Sequence, residues 1–164
     1  MYPQFFKLRP DNFPTIRLSQ LAGLLCNNHN LFSQLIQANS YSQIKQLLKS
    51  ETSEYWKSHY NFSKTSKSKS KGLTNQFIDL ILINTVIPIK FFYAKHQGKL
   101  NIEVLICLLE EMLPEKNSIL QKFSDFNIKT NNAFQSQSLL ELKNEYCNKN
   151  KCLNCAVGLQ LLKN

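Results

Sequence analysis

The chain has 164 residues, 43% of them hydrophobic, which suffices for one continuous core and is short for two independent ones. A formal charge of +9, from 18 Lys and 2 Arg against 11 acids, favours association with nucleic acid or another anionic surface, although Lys is also the ordinary solubilising residue of a protein surface. Five cysteines, an odd number with Cys147, Cys152 and Cys155 close together, argue against a secreted disulfide framework and for reduced thiols or a metal site.

The N-terminal stretch lacks a basic segment followed by an apolar core and a small-residue cleavage site, so a cytoplasmic location is expected. The longest apolar run, Phe77 to Tyr93, is interrupted by Asp79, Asn84, Pro88 and Lys90, and no membrane span is expected from it.

Along the chain, apolar residues recur at helical spacing and strict alternation is scarce, so the expected fold is mainly α. It is pictured as a single compact multi-helix domain over residues 1–164, with a buried central helix and a C-terminal Cys-bearing helical hairpin. Pro14 suits a helix start, and the helix that follows is predicted to turn Leu18, Leu21, Ala22 and Leu25 inward before stopping near Asn27 and Asn28. A short segment with Leu31, Phe32, Leu35 and Ile36 comes next. Another follows the capping residue Ser40 and directs Tyr41, Ile44, Leu47 and Leu48 to the core.

The segment from Ser63 to Gly72 alternates Ser and Lys without an apolar anchor and is expected to be a solvated, flexible loop at 63–72. From Thr74 a long helix is predicted to reach Pro88. Its apolar residues cover every face, which makes it the candidate buried element, and Pro88 is expected to kink or break it. Beyond Gly98, Asn101 caps a helix with Ile102, Leu105, Ile106, Leu109 and Met112 on one side. A further helix carries Ile119, Leu120, Phe123 and Phe126, another starts at Asn132 or Ser136, and the chain closes on a helical stretch from Cys152 to Leu162.

Cys147-x4-Cys152-x2-Cys155 brings three soft thiolate ligands within reach of one Zn²⁺, with His59 as the preferred fourth ligand and His96, His29, Cys107 and Cys26 as rivals. Zinc is favoured over an iron-sulfur cluster, because the plant-type spacing needs a further Cys well downstream and nine residues follow Cys155. The alternative is that the three thiols are small hydrophobes in a helical core. Core packing is the expected role of Cys26 and Cys107.

Two basic constellations are candidates for nucleic-acid binding. Arg9 and Arg17 flank two prolines near a helix start, where exposed backbone N–H groups also favour anions; Arg17 can instead pair with Asp11. Lys57, Lys64, Lys67, Lys69 and Lys71 form a run with no acid between Glu54 and Asp79, beside Trp56, Tyr60 and Phe62, whose rings could stack on bases. There is no nucleophile elbow, no Gly-rich phosphate loop, no His-Glu-x-x-His and no carboxylate pair beside a base, so catalysis by this chain alone has little support.

The segments Arg9-Pro10-Asp11-Asn12-Phe13-Pro14-Thr15-Ile16-Arg17, Tyr55-Trp56-x2-His59-Tyr60, Ile83-Asn84-Thr85-Val86-Ile87-Pro88 and Tyr146-Cys147-x4-Cys152-Leu153-x-Cys155-Ala156-x-Gly158, in that order, resemble the C-terminal part of an uncharacterised bacterial family known as a domain of unknown function. The resemblance implies that longer members carry an N-terminal, nuclease-like region that this chain lacks. It also implies that Cys147, Cys152 and Cys155 belong to a family Cys motif. The expected function is a nucleic-acid-associated accessory domain stapled by a metal, with a protein-interaction or structural helical module as the alternative.

Overall fold

A computed structural model of the chain describes residue 5 and residues 7–162. The fold is mainly helical, and among the described residues the only β pairing is an isolated antiparallel bridge between His59 and Thr65. By their contacts the residues group into two compact units, Met1–Leu100 and Asn101–Asn164, described in turn.

The N-terminal unit opens with a 3-10 turn, Pro10–Asn12, which leads into α1 (Pro14–Asn27). Then come α2 (Leu31–Gln37), α3 (Tyr41–Leu48), the single turn α4 (Glu54–Lys57), and α5 (Asn75–Ile81). A π turn at Leu82–Val86 joins α5 to α6 (Ile87–His96). Ser40 caps α3 by accepting from the Gln43 N–H, and Thr74 caps α5 by accepting from the Phe77 N–H.

On α1 the structure reverses the expected orientation. Leu18, Leu21 and Leu25 are exposed, and the buried stripe is Ile16, Gln20 and Leu24, with Thr15 beside it. The reason lies in what packs there. The Ser50 Oγ donates to the Gln20 carbonyl at 2.9 Å, the Gln20 side-chain amide donates to the Lys71 carbonyl at 2.8 Å, and Gly23 leaves room for the backbone of Glu51. Two extended backbone segments need a face with hydrogen-bonding groups and little bulk, and the leucine face provides neither.

The helix from Asn75 to His96 does not break at Pro88. The π turn carries it through, the Ile87 N–H reaching back to the Leu82 carbonyl, and Pro88 sits at the start of α6. Ile78, Leu82, Val86 and Lys90 are buried, at steps of four residues. In an α-helix each such step overshoots a full turn by about 40°. The wider π turn takes back part of that drift, so the four stay on one stripe. Leu80, Ile89, Phe92 and Tyr93 are exposed, which makes the buried stripe narrower than the all-round apolar sequence predicts.

This 22-residue helical stretch, with an 18-residue window of mean hydropathy 1.7, is long and apolar enough to cross a membrane by length and composition alone, and it carries the polar residues Asp79 and Lys90. Those residues are partnered inside the unit: Asp79 accepts from the Tyr41 hydroxyl at 2.7 Å, and Lys90 donates to three backbone carbonyls. The stretch ends in a Schellman turn. Gly98 adopts φ +64, Gly98 N–H bonds the Lys95 carbonyl and Lys99 N–H the Ala94 carbonyl, a backbone conformation that favours glycine.

The C-terminal unit holds α7 (Ile102–Glu110), α8 (Ser118–Asp125) and α9 (Ala133–Glu141), capped by Asn101, Asn117 and Asn132 respectively. A π turn, Leu142–Cys147, extends α9, and a 3-10 turn, Cys152–Asn154, precedes α10 (Ala156–Leu162). Helix α9 packs against α7 and α8. Leu105, Leu108, Met112, Leu120, Ala133 and Ser136 are buried in this unit. The Ser136 hydroxyl is satisfied there, donating to the Ala133 carbonyl and accepting from the Glu115 N–H.

Candidate nucleic-acid interface

The basic segment at 63–72, expected to be loose, is stitched to the residues just before it. The Ser66 N–H and hydroxyl both bond the Ser58 carbonyl, at 2.7 and 3.1 Å, and the Lys69 N–H bonds the Lys57 carbonyl at 3.0 Å. Asn61 shapes the turn between the two runs: its side-chain oxygen accepts from the N–H groups of Ser63 and Lys64 at 3.1 and 3.0 Å. Below the segment, the Leu73 N–H bonds the Ser50 carbonyl and Gln20 holds the Lys71 carbonyl. The anchors are polar and distant in sequence, which is why an apolar criterion does not reveal them.

The five lysines of this run have different fates. Lys71 is buried, and its ammonium donates to the carbonyls of Trp56, Lys57 and His59 at 2.6, 2.9 and 3.0 Å while lying 3.9 Å from the centre of the Tyr60 ring. It caps the carbonyl end of α4, where the last backbone oxygens lack helical partners. Burial, and then the neighbouring Lys69, push its pKa down from the ordinary lysine value. Lys71 is therefore a structural cation and is removed from the set of nucleic-acid candidates.

Lys90 repeats the device, donating to the carbonyls of Leu35, Ile36 and Ala38 at the end of α2, with its pKa likewise lowered by burial. Lys69 pairs with both carboxylate oxygens of Asp11 at 3.1 Å, and Lys57 pairs with Glu54 at 2.8 Å. In both cases the hydrogen bond to the carboxylate holds the lysine pKa above its ordinary value. Lys64 and Lys67 are exposed and, among the described residues, make no ion pair.

The proline-flanked arginines also separate. The Arg17 guanidinium donates to Gln20 at 2.9 Å and to Asn12 at 2.5 Å and lies 3.6 Å from the centre of the Phe77 ring, so it fixes the start of α1 and is not free to meet a phosphate. Desolvation lowers its pKa, opposed by the nearby Asp11 charge. Arg9 is exposed. Asp11, which sequence reading assigned at most to Arg17, instead meets Lys69 and accepts from the Tyr60 hydroxyl at 3.3 Å. The Thr15 hydroxyl donates to the Tyr60 carbonyl at 2.5 Å. The N-terminal proline motif and the Tyr55–Tyr60 motif thus form one hydrogen-bonded assembly with the basic segment.

Among the aromatic residues, Tyr60 is turned toward Asp11 and Lys71, while Phe62 is 76% and Tyr55 44% exposed. Trp56 meets Phe62 edge-on at 5.2 Å, and Tyr55 stacks on the His59 ring at 4.0 Å, the planes 5° apart. Tyr55 replaces Tyr60 as the available ring. His59 is committed locally: its Nδ1 lies 2.9 Å from the Tyr55 carbonyl and 3.1 Å from the Ser58 hydroxyl.

The cysteine segment of the C-terminal unit is built from successive turns. The four residues between Cys147 and Cys152 close the preceding helix as a Schellman turn, with Asn150 at φ 52, Asn150 N–H on the Cys147 carbonyl and Lys151 N–H on the Tyr146 carbonyl. Cys152 to Cys155 is a 3-10 turn closed by Cys155 N–H on the Cys152 carbonyl at 3.2 Å. A Cβ at Gly158 would collide with the Cys152 carbonyl, so the glycine lets α10 lie against this turn. Glu145 and Lys149 pair across the helix end, and the pair lowers the Glu145 pKa.

Cys147 and Cys152 are exposed and Cys155 is buried, and all are free thiols. Among the described residues no group of three His, Cys, Asp or Glu side chains is placed to hold a metal ion. Cys26 and Cys107, expected in the core, are exposed.

A groove of about 550 Å³ in the N-terminal unit is lined by Asn28, Gln34, Gln37, Gln43 and Gln46, with Ala38 and Leu47. It offers amides and no acid, base or nucleophile.

The N-terminal unit is thus a small helical scaffold with lysine-capped helix ends and one aromatic, basic edge. The family described as "Protein of unknown function (DUF2851)" matches residues 1–118, and the chain belongs to that family. The matched residues contain the proline-arginine, Tyr-Trp and Ile83–Pro88 motifs; the cysteine motif lies outside them, so the family assignment lends it no weight. No curated protein and no solved structure matches the chain.

Proposed function

We propose that this chain is a nucleic-acid-associated accessory domain whose contact surface is the edge formed by residues 55–69. The observation that carries this reading is the pairing of two exposed, unpaired cations, Lys64 and Lys67, with exposed aromatic rings on a segment that hydrogen bonds hold in place. No acid lies between Glu54 and Asp79, and Glu54 is itself paired with Lys57. Arg9 is a further candidate on the N-terminal motif bound to the same assembly. That a nuclease-like region accompanies the domain in longer proteins rests on the sequence resemblance alone. A zinc staple rests on the cysteine spacing alone, and elemental analysis of the purified protein decides it.

The test is a salt titration of binding to generic single-stranded and duplex DNA. Binding at low salt that falls steeply as salt rises, and weakens when Lys64 and Lys67 are both changed to Glu, supports the reading. Absence of binding at low salt, or binding without a salt slope, overturns it.

A second reading, a protein-interaction module, is favoured by a different observation. Leu18, Leu21 and Leu25 stand exposed at i, i+3 and i+7 along α1, the spacing with which a helix face receives a partner helix. Changing all three to polar residues abolishes association with such a partner and leaves any DNA affinity intact.

A further inference from the structure

We infer that Tyr55 and Phe62 form a stacking platform for unpaired bases, so that the ligand of this surface is single-stranded nucleic acid in preference to duplex. The inference rests on the nucleic-acid reading above and specifies its ligand.

A phenylalanine that is 76% exposed gains almost nothing from burial, yet this one is held in a defined place. On one side Asn61 fixes the turn that carries it, through three hydrogen bonds from Ser63 and Lys64. On the other, the Trp56 ring braces it edge-on at 5.2 Å. Its plane is tilted only 31° from that of Tyr55, with ring centres 6.5 Å apart, and Tyr55 is itself locked parallel to His59. The two exposed rings are thus preorganised in nearly the same orientation, which lowers the ordering cost of binding.

Charge complementarity selects what covers them. Lys64 follows Phe62 by two residues, and Lys67 follows the Ser66 that is zipped to Ser58, so exposed cations lie on the same hydrogen-bonded segment as Phe62. An apolar protein partner would have to desolvate these ammonium groups, whereas a nucleic-acid strand supplies phosphates to them and base faces to the rings. A duplex offers the phosphates but keeps its base faces stacked inside. The rings therefore add affinity only for unpaired bases.

The experiment uses the full chain with an oligothymidylate strand and a hairpin duplex, at one low salt concentration. Trp56 is the sole tryptophan and touches Phe62, so its fluorescence reports the platform directly. The single strand is expected to bind more tightly and to quench Trp56, and the duplex to leave the emission largely unchanged. Phe62→Ala should weaken single-strand binding by about ten-fold, with duplex binding within about two-fold of the parent, and Phe62→Tyr should restore the parent affinity. Equal affinity for both ligands, no quenching and no effect of Phe62→Ala would overturn the platform while salt-dependent binding kept the broader reading standing. Failure of both ligands to bind would remove the broader reading and the platform with it.

Discussion

The two segments that look most functional in the sequence, residues 63–72 and residues 147–158, are organised by opposite means. The Lys/Ser run is held by partners outside it: Asp11, Gln20 and Ser50 far along the chain, and the Trp56–His59 carbonyls just before it. The cysteine run is held almost wholly by bonds spanning a few residues, in two consecutive turns and the start of α10. A segment without apolar side chains can therefore be fixed by polar groups if a buried one anchors it. A ligand-like spacing, conversely, can be the by-product of turn geometry.

The sharpest way to break this comparison lies within the Lys run itself. Lys71→Met keeps the apolar stem but removes the three donors at the end of α4, and is expected to cost about 3 kcal/mol, measured by urea unfolding. Lys67→Met, four residues earlier in the same repeat, should stay within about 0.5 kcal/mol of the parent. Equal effects would mean that Lys71 does not anchor the segment.

A smaller effect is expected at Gly158. Gly158→Ala drives a methyl group into the Cys152 carbonyl and should cost about 1–2 kcal/mol, felt first as faster amide exchange in α10. Unchanged protection there would show that α10 does not depend on this close approach.

The smallest effects sharpen the reading of the cysteines. Cys155→Ser places a hydroxyl in a buried site and should lower stability by about 1 kcal/mol. Cys147→Ser and Cys152→Ser, at exposed positions, should melt within a degree or two of the parent. A metal staple predicts the contrary pattern, three similar losses each accompanied by release of the ion. Thermal melts of the three variants beside metal analysis separate the two.

Much of the secondary structure was legible, because its signals are local. Ser40, Thr74, Asn101 and Asn132 cap helices as their positions indicate, and Gly98 ends one, since a cap bonds to N–H groups two or three residues away. The inward face of α1 was not legible. Leucines at helical spacing are the stronger apolar signal, but Ile16, Gln20 and Leu24 are chosen by the Ser50 hydroxyl and the backbones of Glu51 and Lys71, which arrive from elsewhere in the chain.

For the candidate interface, the sequence by itself determined that a basic run stands beside aromatic residues with no intervening acid. Only the tertiary structure decided which cations remain available. Lys64 and Lys67 stay exposed while Lys71 is caged, and Tyr60 turns in while Phe62 turns out. In a Ser-Lys repeat every lysine has nearly the same neighbours in sequence. What distinguishes them is whether a helix end with unpartnered carbonyls lies within reach of the ammonium, and that is settled only when the chain folds back on itself.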